Sequence, residues 1–322
     1  MLETIQRQSV ISFPMLGNLT LNPPAYFTVF GRPIYFYGVL IGIGFILAIL
    51  FCSRRAPRFG LKEDDIYDAA LWLIPCTILG ARLYYVLFRL DYYLAHPDEF
   101  FAVWNGGLAI YGGVITGILV VCLLCHRKKI PVGAMVDCLC YGLLIGQIIG
   151  RWGNFMNREA FGVETTVFCR MGLTAPDGTT IYVHPTFLYE SLWNLGVLVF
   201  LILFEKRGRR RFDGQCLCLY FLLYGLGRFW IEGLRTDSLY IGDTGIRVSQ
   251  ALSAVLVLGS AAYLLWRRKR GYREEDLYVN RIHAPVVILP AQEAAEEKAA
   301  EADSAPAEEE NTQTEDKEDG RL

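Results

Sequence analysis

Charged side chains are scarce in this sequence. Only 20% of the 322 residues are charged, against 53% that are hydrophobic, and the net charge is -2. This small net charge indicates little about partners, and we expect no nucleic-acid partner. The scarcity comes from long runs with few charges, which recur along most of the chain and predict a polytopic membrane protein in the lipid bilayer.

We also expect neither a cleavable signal peptide nor a cysteine framework. Residues 1–32 are mixed in polarity and contain proline, where a signal peptide would have a basic start followed by an apolar stretch. Most of the nine cysteines lie in or beside apolar runs, where cysteine behaves as a small hydrophobic residue. The Cys-x-Cys pairs that begin at Cys138 and Cys216 lack metal-ligand spacing. We therefore expect no metal and no other cofactor.

Seven apolar runs predict the transmembrane helices. A helix needs about 20 residues to cross the hydrocarbon core. Several runs are shorter than that without their polar flanks, so six or eight spans remain open. The runs are Ile34–Cys52, Ala69–Phe88, Leu108–Cys125, Ala134–Ile149, Phe187–Phe204, Leu217–Ile231 and Val248–Trp266. The predicted fold class is an all-α polytopic membrane protein of about seven transmembrane helices, with a small external head built from loops.

Basic residues collect in alternate loops, which predicts an N-terminus outside and a C-terminus in the cytoplasm. The clusters lie at 54–62, 127–129, 206–211 and 267–270. Within the second long external loop, a turn-like segment before Ile181–Val183 favours a short hairpin. The expected organisation is an external segment at 1–33, a transmembrane domain at 34–270 with external loops at about 89–107 and 151–186, and a largely disordered acidic cytoplasmic tail at 271–322.

The block Gly150–Gly162 follows directly on the fourth apolar run and carries an arginine, two amides and a carboxylate. Polar and ionisable groups beside hydrocarbon are costly, so they are usually paired and functional. Arginine forks, amide donors and glycines that let the backbone approach closely also suit a phosphate. The block therefore predicts an anion site.

Other unusual polar residues fall at the same depth. With the topology above, all of them lie in or near the outer leaflet. They are Tyr37, Arg82, Tyr111, Arg151, Asn154, Glu159, His184, Tyr189, Glu190, Tyr224, Arg228, Glu232 and Arg235. Two of them keep a structural alternative: Arg82 as a snorkelling arginine or a tie within the bundle, and His184 as a residue that holds a turn. Asp137, at the inner end of the fourth run, is interpreted as structural.

Tyr224, Arg228, Glu232 and Arg235 are spaced for one face of a helix. Two alternatives remain open: Arg228 and Glu232 only neutralise each other, or they share a polar cavity with Arg151. Two arginines at headgroup depth suit a phospholipid phosphate, because the guanidinium binds phosphate bidentately and keeps its charge on burial. The residues alone leave open an enzyme, a lipid transporter or a non-catalytic lipid-binding protein.

Five motifs resemble the prolipoprotein diacylglyceryl transferase family over Ile34 to Arg268. The block Gly150–Gly162 is similar to the family signature Gly-Arg-x-Gly-Asn-Phe-x-Asn-x-Glu-x-x-Gly. The four supporting motifs are Phe36–Gly38, Gly80–Tyr85, His184–Glu190 and Tyr224–Arg235. The resemblance implies transfer of the diacylglyceryl group of phosphatidylglycerol to the lipobox cysteine of translocated prolipoproteins, at the outer leaflet of a bacterial plasma membrane.

The resemblance also implies roles for individual residues. Arg151 is expected to bind the phosphatidylglycerol headgroup, and Arg228 to be essential near the reacting phosphate. Further site residues that the resemblance or the polar cluster indicates are Tyr37, Arg82, Asn154, Glu159, Glu232, His184 and Tyr224, with Gly150, Gly153 and Gly162 structural in the motif.

Tyr111 departs from the family pattern, since it occupies a position where many members carry a histidine proposed as a base. A phenol has a pKa of about 10 and is a poor base at neutral pH. The hypothesis is that Arg151 and Arg228 clamp the phosphate while Asn154 donates to it. Glu159 or Glu232 would orient the arginines, and Tyr111 or His184 would assist proton transfer.

Overall fold

The computed structural model describes residues 9–242 and 244–283. Within these ranges seven helices are long and apolar enough to cross a membrane, which confirms the predicted class of an all-α polytopic membrane protein. The α-helices are α1 (Phe36–Arg55), α2 (Glu63–Leu87), α3 (Leu90–Ala95), α4 (Ile110–Lys128), α5 (Val132–Asn157), α6 (Thr186–Lys206), α7 (Gln215–Leu234), α8 (Val248–Arg270) and α9 (Tyr278–His283). All except the short α3 and α9 are candidate spans.

Helix α5 lies at the centre and packs against α1, α6 and α7. Its buried side chains include Met135, Tyr141 and Leu144, and they form the main apolar core together with residues of the neighbouring helices. The helix runs to Asn157, beyond the expected end at Ile149. The loop expected at 151–186 therefore begins at Arg158, whose positive φ of 53° ends the helix.

Basic residues occupy the C-terminal turns of α1, α4, α6 and α8, which are alternate spans. Cations at helix C-termini also interact favourably with the helix dipole. At the same end, the fully buried Asp137 accepts hydrogen bonds from the backbone N–H groups of Gly214 and Leu217, both at 2.9 Å. Asp137 thus satisfies the first turn of α7, as the structural interpretation expected.

A small sheet covers the opposite end of the bundle. Its strands are β1 (Val10–Phe13), β2 (Leu19–Leu21), β5 (Met171–Thr174) and β6 (Thr180–Val183), in the antiparallel order β2-β1-β5-β6, while β3 (Tyr26–Val29) and β4 (Arg32–Tyr35) form a separate hairpin. The predicted hairpin in the second loop is confirmed as β5–β6. The other four strands, β1 to β4, lie between Val10 and Tyr35, in the N-terminal segment and its junction with α1, where no strand was predicted from the sequence.

The C-terminal part of the chain is only partly described. Residues 274–276 form a 3₁₀ turn and Tyr278–His283 form α9, so this part of the expected tail has regular structure. The expectation of a disordered acidic tail over 284–322 lies outside the described residues.

Candidate active site

The buried carboxylate of Glu190 lies where α5, α6 and the C-terminal end of α7 meet. It stands in the second turn of α6 and is only 3% exposed. One oxygen lies 2.6 Å from Arg151 Nη2, and the other lies 2.5 Å from Arg228 Nη1 and 3.5 Å from Arg235 Nη1. A single carboxylate therefore connects both arginines that the sequence singled out.

Arg151 belongs to the penultimate turn of α5 and not to the loop after it. The next residue, Trp152, donates its indole N–H to Ser191 at 3.2 Å, and Ser191 in turn donates to the carbonyl of Ile148 at 3.1 Å. These bonds set the register of α5 against α6. They hold Arg151 and Glu190 side by side, because Arg151 directly precedes Trp152 on α5 and Glu190 directly precedes Ser191 on α6.

Arg228 bridges two carboxylates. Its second nitrogen, Nη2, lies 2.5 Å from Glu232, which is 1% exposed and one turn further along α7. Helix α7 approaches α6 closely beside this pair, because a Cβ atom at Gly227 would overlap the indole of Trp193. The expected Arg228–Glu232 pair thus exists, and it is joined to Arg151 through Glu190.

The helical stripe ends before Arg235. Helix α7 stops at Leu234, and Arg235 has extended backbone with ψ of 149°. Its guanidinium nevertheless turns back toward Glu190 and pairs in two places with Asp237, at 2.9 and 2.6 Å. Arg235 therefore forms the rim of the arginine cluster, since the side chain of Asp237 is 49% exposed.

Asn154 and Glu159 form a contact of their own. The Asn154 amide donates to Glu159 at 2.9 Å and accepts from Arg151 Nη1 at 3.3 Å. Asn157 also donates to Glu159, at 3.3 Å. Among the described residues Glu159 pairs with no arginine, so it orients the amide of Asn154 and reaches Arg151 only through it.

Two glycines of the motif permit close backbone approach. A Cβ atom at Gly153 would overlap the ring of Tyr37, at the start of α1. One at Gly162 would lie 2.7 Å from His184 Cβ and 2.9 Å from the carbonyl of Leu234. Gly162 also donates to the His184 carbonyl at 2.9 Å and forms an isolated β-bridge with Arg235. It thereby ties the end of the motif to α6 and α7.

Gly150 is less constrained, since its added Cβ would meet only Ile41 of α1, at 3.4 Å. Tyr224 stacks on Tyr220 one turn earlier in α7, with ring centroids 5.4 Å apart. Arg151 and Arg228 both interact electrostatically with Tyr224. The phenol therefore lies on the inner side of the arginine cluster.

His184 lies beside the cluster, just before α6. Its Nδ1 is 3.3 Å from the Tyr189 hydroxyl, which lies 3.1 Å from the thiol of Cys169. Burial lowers the pKa of His184 below its ordinary value, so the imidazole is neutral at pH 7. The backbone bonds to Gly162 also fit the alternative in which His184 holds the turn.

Arg82 makes contacts of a structural kind. It is 3% exposed and donates to the carbonyls of Glu99, Phe100, Gly106 and Gly107 at 2.6 to 3.1 Å. No carboxylate pairs with it in the described part of the chain. These contacts support the alternative of a tie within the bundle, here between α2 and the segment that leads to α4.

Tyr111 is at the start of α4, and its side chain is 43% exposed. Within residues 9–242 and 244–283 its hydroxyl forms no hydrogen bond. The phenol is therefore not joined to the arginine cluster by direct contacts.

Glu190 is the main site residue that sequence reasoning did not assign a role. It stood among the polar residues at one depth, but Glu159 and Glu232 were expected to orient the arginines. The signal that could have singled it out is its place one residue after Tyr189 in an otherwise apolar helix.

Comparison with known proteins identifies similar chains. A family model described as "Prolipoprotein diacylglyceryl transferase" matches residues 24–266. Three curated relatives are named phosphatidylglycerol--prolipoprotein diacylglyceryl transferase. That of Lactiplantibacillus plantarum is 43% identical over 242 residues, covering 73% of this chain and 86% of the relative. Those of Limosilactobacillus reuteri and Lactobacillus gasseri are 42% and 40% identical, each covering 78% of this chain and 92% of the relative.

Proposed function

The chain belongs to the prolipoprotein diacylglyceryl transferase family, and on that premise we propose that it is a transferase acting on phosphatidylglycerol and prolipoproteins. The diacylglyceryl group of phosphatidylglycerol passes to the thiol of the prolipoprotein's lipobox cysteine. A thioether forms and glycerol phosphate is released. This is the first step of bacterial lipoprotein maturation.

The observation that carries the proposal is the shared carboxylate. Arg151 and Arg228 lie on different helices, yet both contact Glu190, at 2.6 and 2.5 Å. Each guanidinium has five N–H groups, so donors remain for an anion after the carboxylate is bound. Two arginines held in this way support a bidentate clamp on the phosphate of phosphatidylglycerol.

The charge of the buried cluster also suits this lipid. Arg151, Arg228 and Arg235 carry three positive charges, and the buried Glu190 and Glu232 carry two negative ones. When the partly exposed Asp237 at the rim is not counted, the cluster has a net charge of one positive unit. A phosphodiester carries one negative charge and would neutralise it.

The main chemical demand of the reaction is stabilisation of the phosphate leaving group. The thiolate sulfur attacks the glyceryl CH₂ that bears the phosphate, an S–C bond forms, and the C–O bond breaks with its electron pair going to the phosphate oxygen. Negative charge on the phosphate rises from one to two during this step. Fixed cations at that oxygen stabilise the developing charge, and we assign this role to Arg228 and Arg151. Asn154, Tyr224 and Tyr37 would complete the wall around the headgroup.

The thiol proton needs an acceptor, and a free thiol with a pKa of about 8.5 needs only modest help. The lowered pKa of His184 leaves its imidazole neutral and able to accept a proton at pH 7. Tyr111 is the other candidate. A base within the site would pass the proton to solvent or to the released phosphate.

We further propose that the cluster faces the outer leaflet of a bacterial plasma membrane. The support is the basic C-terminal turns of α1, α4, α6 and α8, which favour the cytoplasmic side. The N-terminus would then lie outside, the residues after α8 in the cytoplasm, and residues 34–270 would form the catalytic domain.

Replacing Arg228 tests the proposed clamp. Purified Arg228→Ala and Arg228→Lys should both lose about 100-fold or more in rate, because one ammonium cannot serve Glu190, Glu232 and a phosphate together. The measurements are thioether formation on a lipobox peptide, consumption of phosphatidylglycerol and release of glycerol phosphate. Arg170→Ala, in the external head, is the control and should keep the wild-type rate. Wild-type rates in both Arg228 variants would refute the clamp.

Replacing Tyr111 tests the proton acceptor. If the phenol takes part, Tyr111→Phe should slow the transfer, whereas Tyr111→His should keep it, since an imidazole is the better base near pH 7. An unchanged rate in Tyr111→Phe would exclude phenol chemistry and leave His184 as the candidate. The rate is measured on the same lipobox peptide.

A further inference from the structure

Residues 271–283, here called the return segment, fold back against the basic end of the bundle. Asp213, in the turn before α7, organises this contact. Its carboxylate accepts from the Tyr278 backbone N–H at 2.9 Å and pairs with Arg281 at 3.3 Å, and its own N–H donates to the Asp276 carbonyl at 3.0 Å. The ring of Tyr272 stacks on Phe212, with centroids 6.0 Å apart.

This fold forms an open pocket of about 290 Å³ at the C-terminal end of α8. Its lining is Arg267, Arg270, Gly271, Arg273 and Asp276. Gly271, with φ of 79°, makes the sharp turn that brings Arg273 back beside the end of the helix. All five residues follow residue 266, the last one that the family model matches. The pocket therefore lies outside the matched part of the chain.

The pocket carries a surplus of positive charge. Arg267 lies over the ring of Phe212, 4.6 Å from its centroid, and pairs with Asp276 at 2.8 Å. Its Nε–H is buried and has no acceptor in the described part of the chain. Arg270 and Arg273 pair with no carboxylate of the described residues. Three arginines thus face one carboxylate.

The pocket lies at a membrane boundary. It follows directly on the last turn of a candidate span, where Arg270 lies over Trp266, 4.4 Å from the ring centroid. Tryptophan and arginine at a helix end are typical of the headgroup region. This is also the end of the bundle with the other basic clusters, opposite the Glu190 cluster.

We propose that this pocket binds the phosphate of an anionic phospholipid in the leaflet opposite the transferase site. Guanidinium forks suit phosphate oxygens, and the unpaired Nε–H of Arg267 supplies a directed donor beside the exposed side chains of Arg270 and Arg273. The acyl chains would extend along α8 next to Trp266. The site is independent of the transfer reaction.

The test uses the full chain in non-ionic detergent, titrated with dihexanoyl phosphatidic acid and followed by native mass spectrometry. The pocket variant is Arg270→Gln with Arg273→Gln. The matched control is Arg268→Gln with Lys269→Gln, which removes the same charge from neighbouring residues outside the lining. The pocket variant should bind the lipid at one class of site more weakly than wild type, by about tenfold or more. This loss corresponds to the contribution of a basic residue to binding at a lipid surface. The control should stay within about threefold of wild type.

If lipid binding is weakened equally in both variants, the effect is a general attraction between basic residues and the anionic lipid, and the proposal is overturned. The proposal is also overturned if lipid binding is weakened in neither variant. A second arm replaces the lipid by inorganic phosphate. Phosphate binding that is as tight as lipid binding, with the same variant dependence, supports the phosphate site but assigns it to a soluble anion. Tighter lipid binding assigns it to the headgroup. Diacylglyceryl transfer by the pocket variant should equal wild type, so failure of the proposed function would not affect this result.

Discussion

At the scale of single residues, one buried carboxylate decides the arrangement of the site. Glu190 contacts Arg151 of α5 together with Arg228 and Arg235 from the end of α7, about 80 residues further along the chain. Like charges gathered in a buried place would repel one another without it. The arginines therefore depend on Glu190 for their positions as much as the proposed phosphate would depend on them.

Glu190→Gln should consequently affect both folding and activity. Removing one partner of a buried ion pair costs about 3–5 kcal/mol, because the remaining charges lose their compensation. We expect a clear fall in the thermal unfolding temperature in detergent and at least a 100-fold lower transfer rate. Asp237→Asn is the control: it also removes a carboxylate from Arg235, but at a half-exposed position worth about 1 kcal/mol or less. Equal stability and activity in the two variants would contradict the central role of Glu190.

That Arg151 and Arg228 share one polar cluster could be predicted from the sequence, since arginines beside apolar runs are costly unless they are paired. The contacts of Arg82 could not. Arg82 is likewise an arginine within a candidate span, yet its guanidinium donates to four backbone carbonyls of one segment. Every residue has a backbone carbonyl, so the sequence does not indicate which carbonyls accept from an arginine. A structural arginine and a ligand-binding arginine therefore cannot be distinguished by sequence pattern.

At the scale of elements, the extension of α5 to Asn157 changes what carries the motif. Arg151 and Asn154 project from a helix, and a helix holds a side chain more precisely than a loop does. The apolar run ends at Ile149 because the following turns face the arginine cluster and the ring of Tyr37. Hydropathy marks where lipid contact ends, and the backbone continues as helix beyond that point.

The close approach of α1 to α5 gives a paired test. Gly153→Ala would place a methyl group inside the ring of Tyr37, and the two helices would have to separate. We expect about 1–3 kcal/mol lower stability and a reduced transfer rate, because α5 carries Arg151. Gly146→Ala, on the same helix, meets no atom within 4 Å and should lose nothing. Thermal unfolding and transfer assays compare the two, and indistinguishable variants would mean that the Tyr37 contact is not required.

The four-stranded sheet contains one pairing that the sequence predicts and one that it does not. The hairpin β5–β6 is local, with a turn at Ala175–Gly178, and its residues predict it. Strand β1 pairs with β5 across some 160 residues, for instance Ser12 with Gly172. The buried Arg158 adds to this contact by donating to Ser9 and Pro23 carbonyls. Pairing over such a distance follows from the fold and not from local pattern.

At the scale of the whole molecule, the charged side chains within the described spans collect near the two ends of the bundle. Each of the seven candidate spans is a continuous helix in the described ranges. A transporter is expected to have interrupted helices or polar groups near the membrane centre. The Glu190 cluster instead lies at one end, where a headgroup would be.

The proposed orientation predicts which surfaces a membrane-impermeant thiol reagent reaches. In a Cys169→Ser background, Phe30→Cys lies in the fully exposed turn between β3 and β4 and should react in intact cells. Glu275→Cys, in the return segment, is also exposed but should react only after the membrane is opened. Labelling of Glu275→Cys in intact cells at the rate of Phe30→Cys would contradict the orientation.

The sequence by itself determined the class of polytopic membrane protein, a count of about seven spans and the end of the bundle at which basic residues collect. These properties follow from the length of the apolar runs relative to the thickness of the bilayer's hydrocarbon core. They also follow from the need of charged side chains for solvation outside that core. Only the tertiary structure decided that Glu190 joins the arginines, that Arg82 ties a segment, and that residues 271–283 return to form a pocket. These outcomes depend on helix rotation and side-chain direction, which bring together groups that are far apart along the chain.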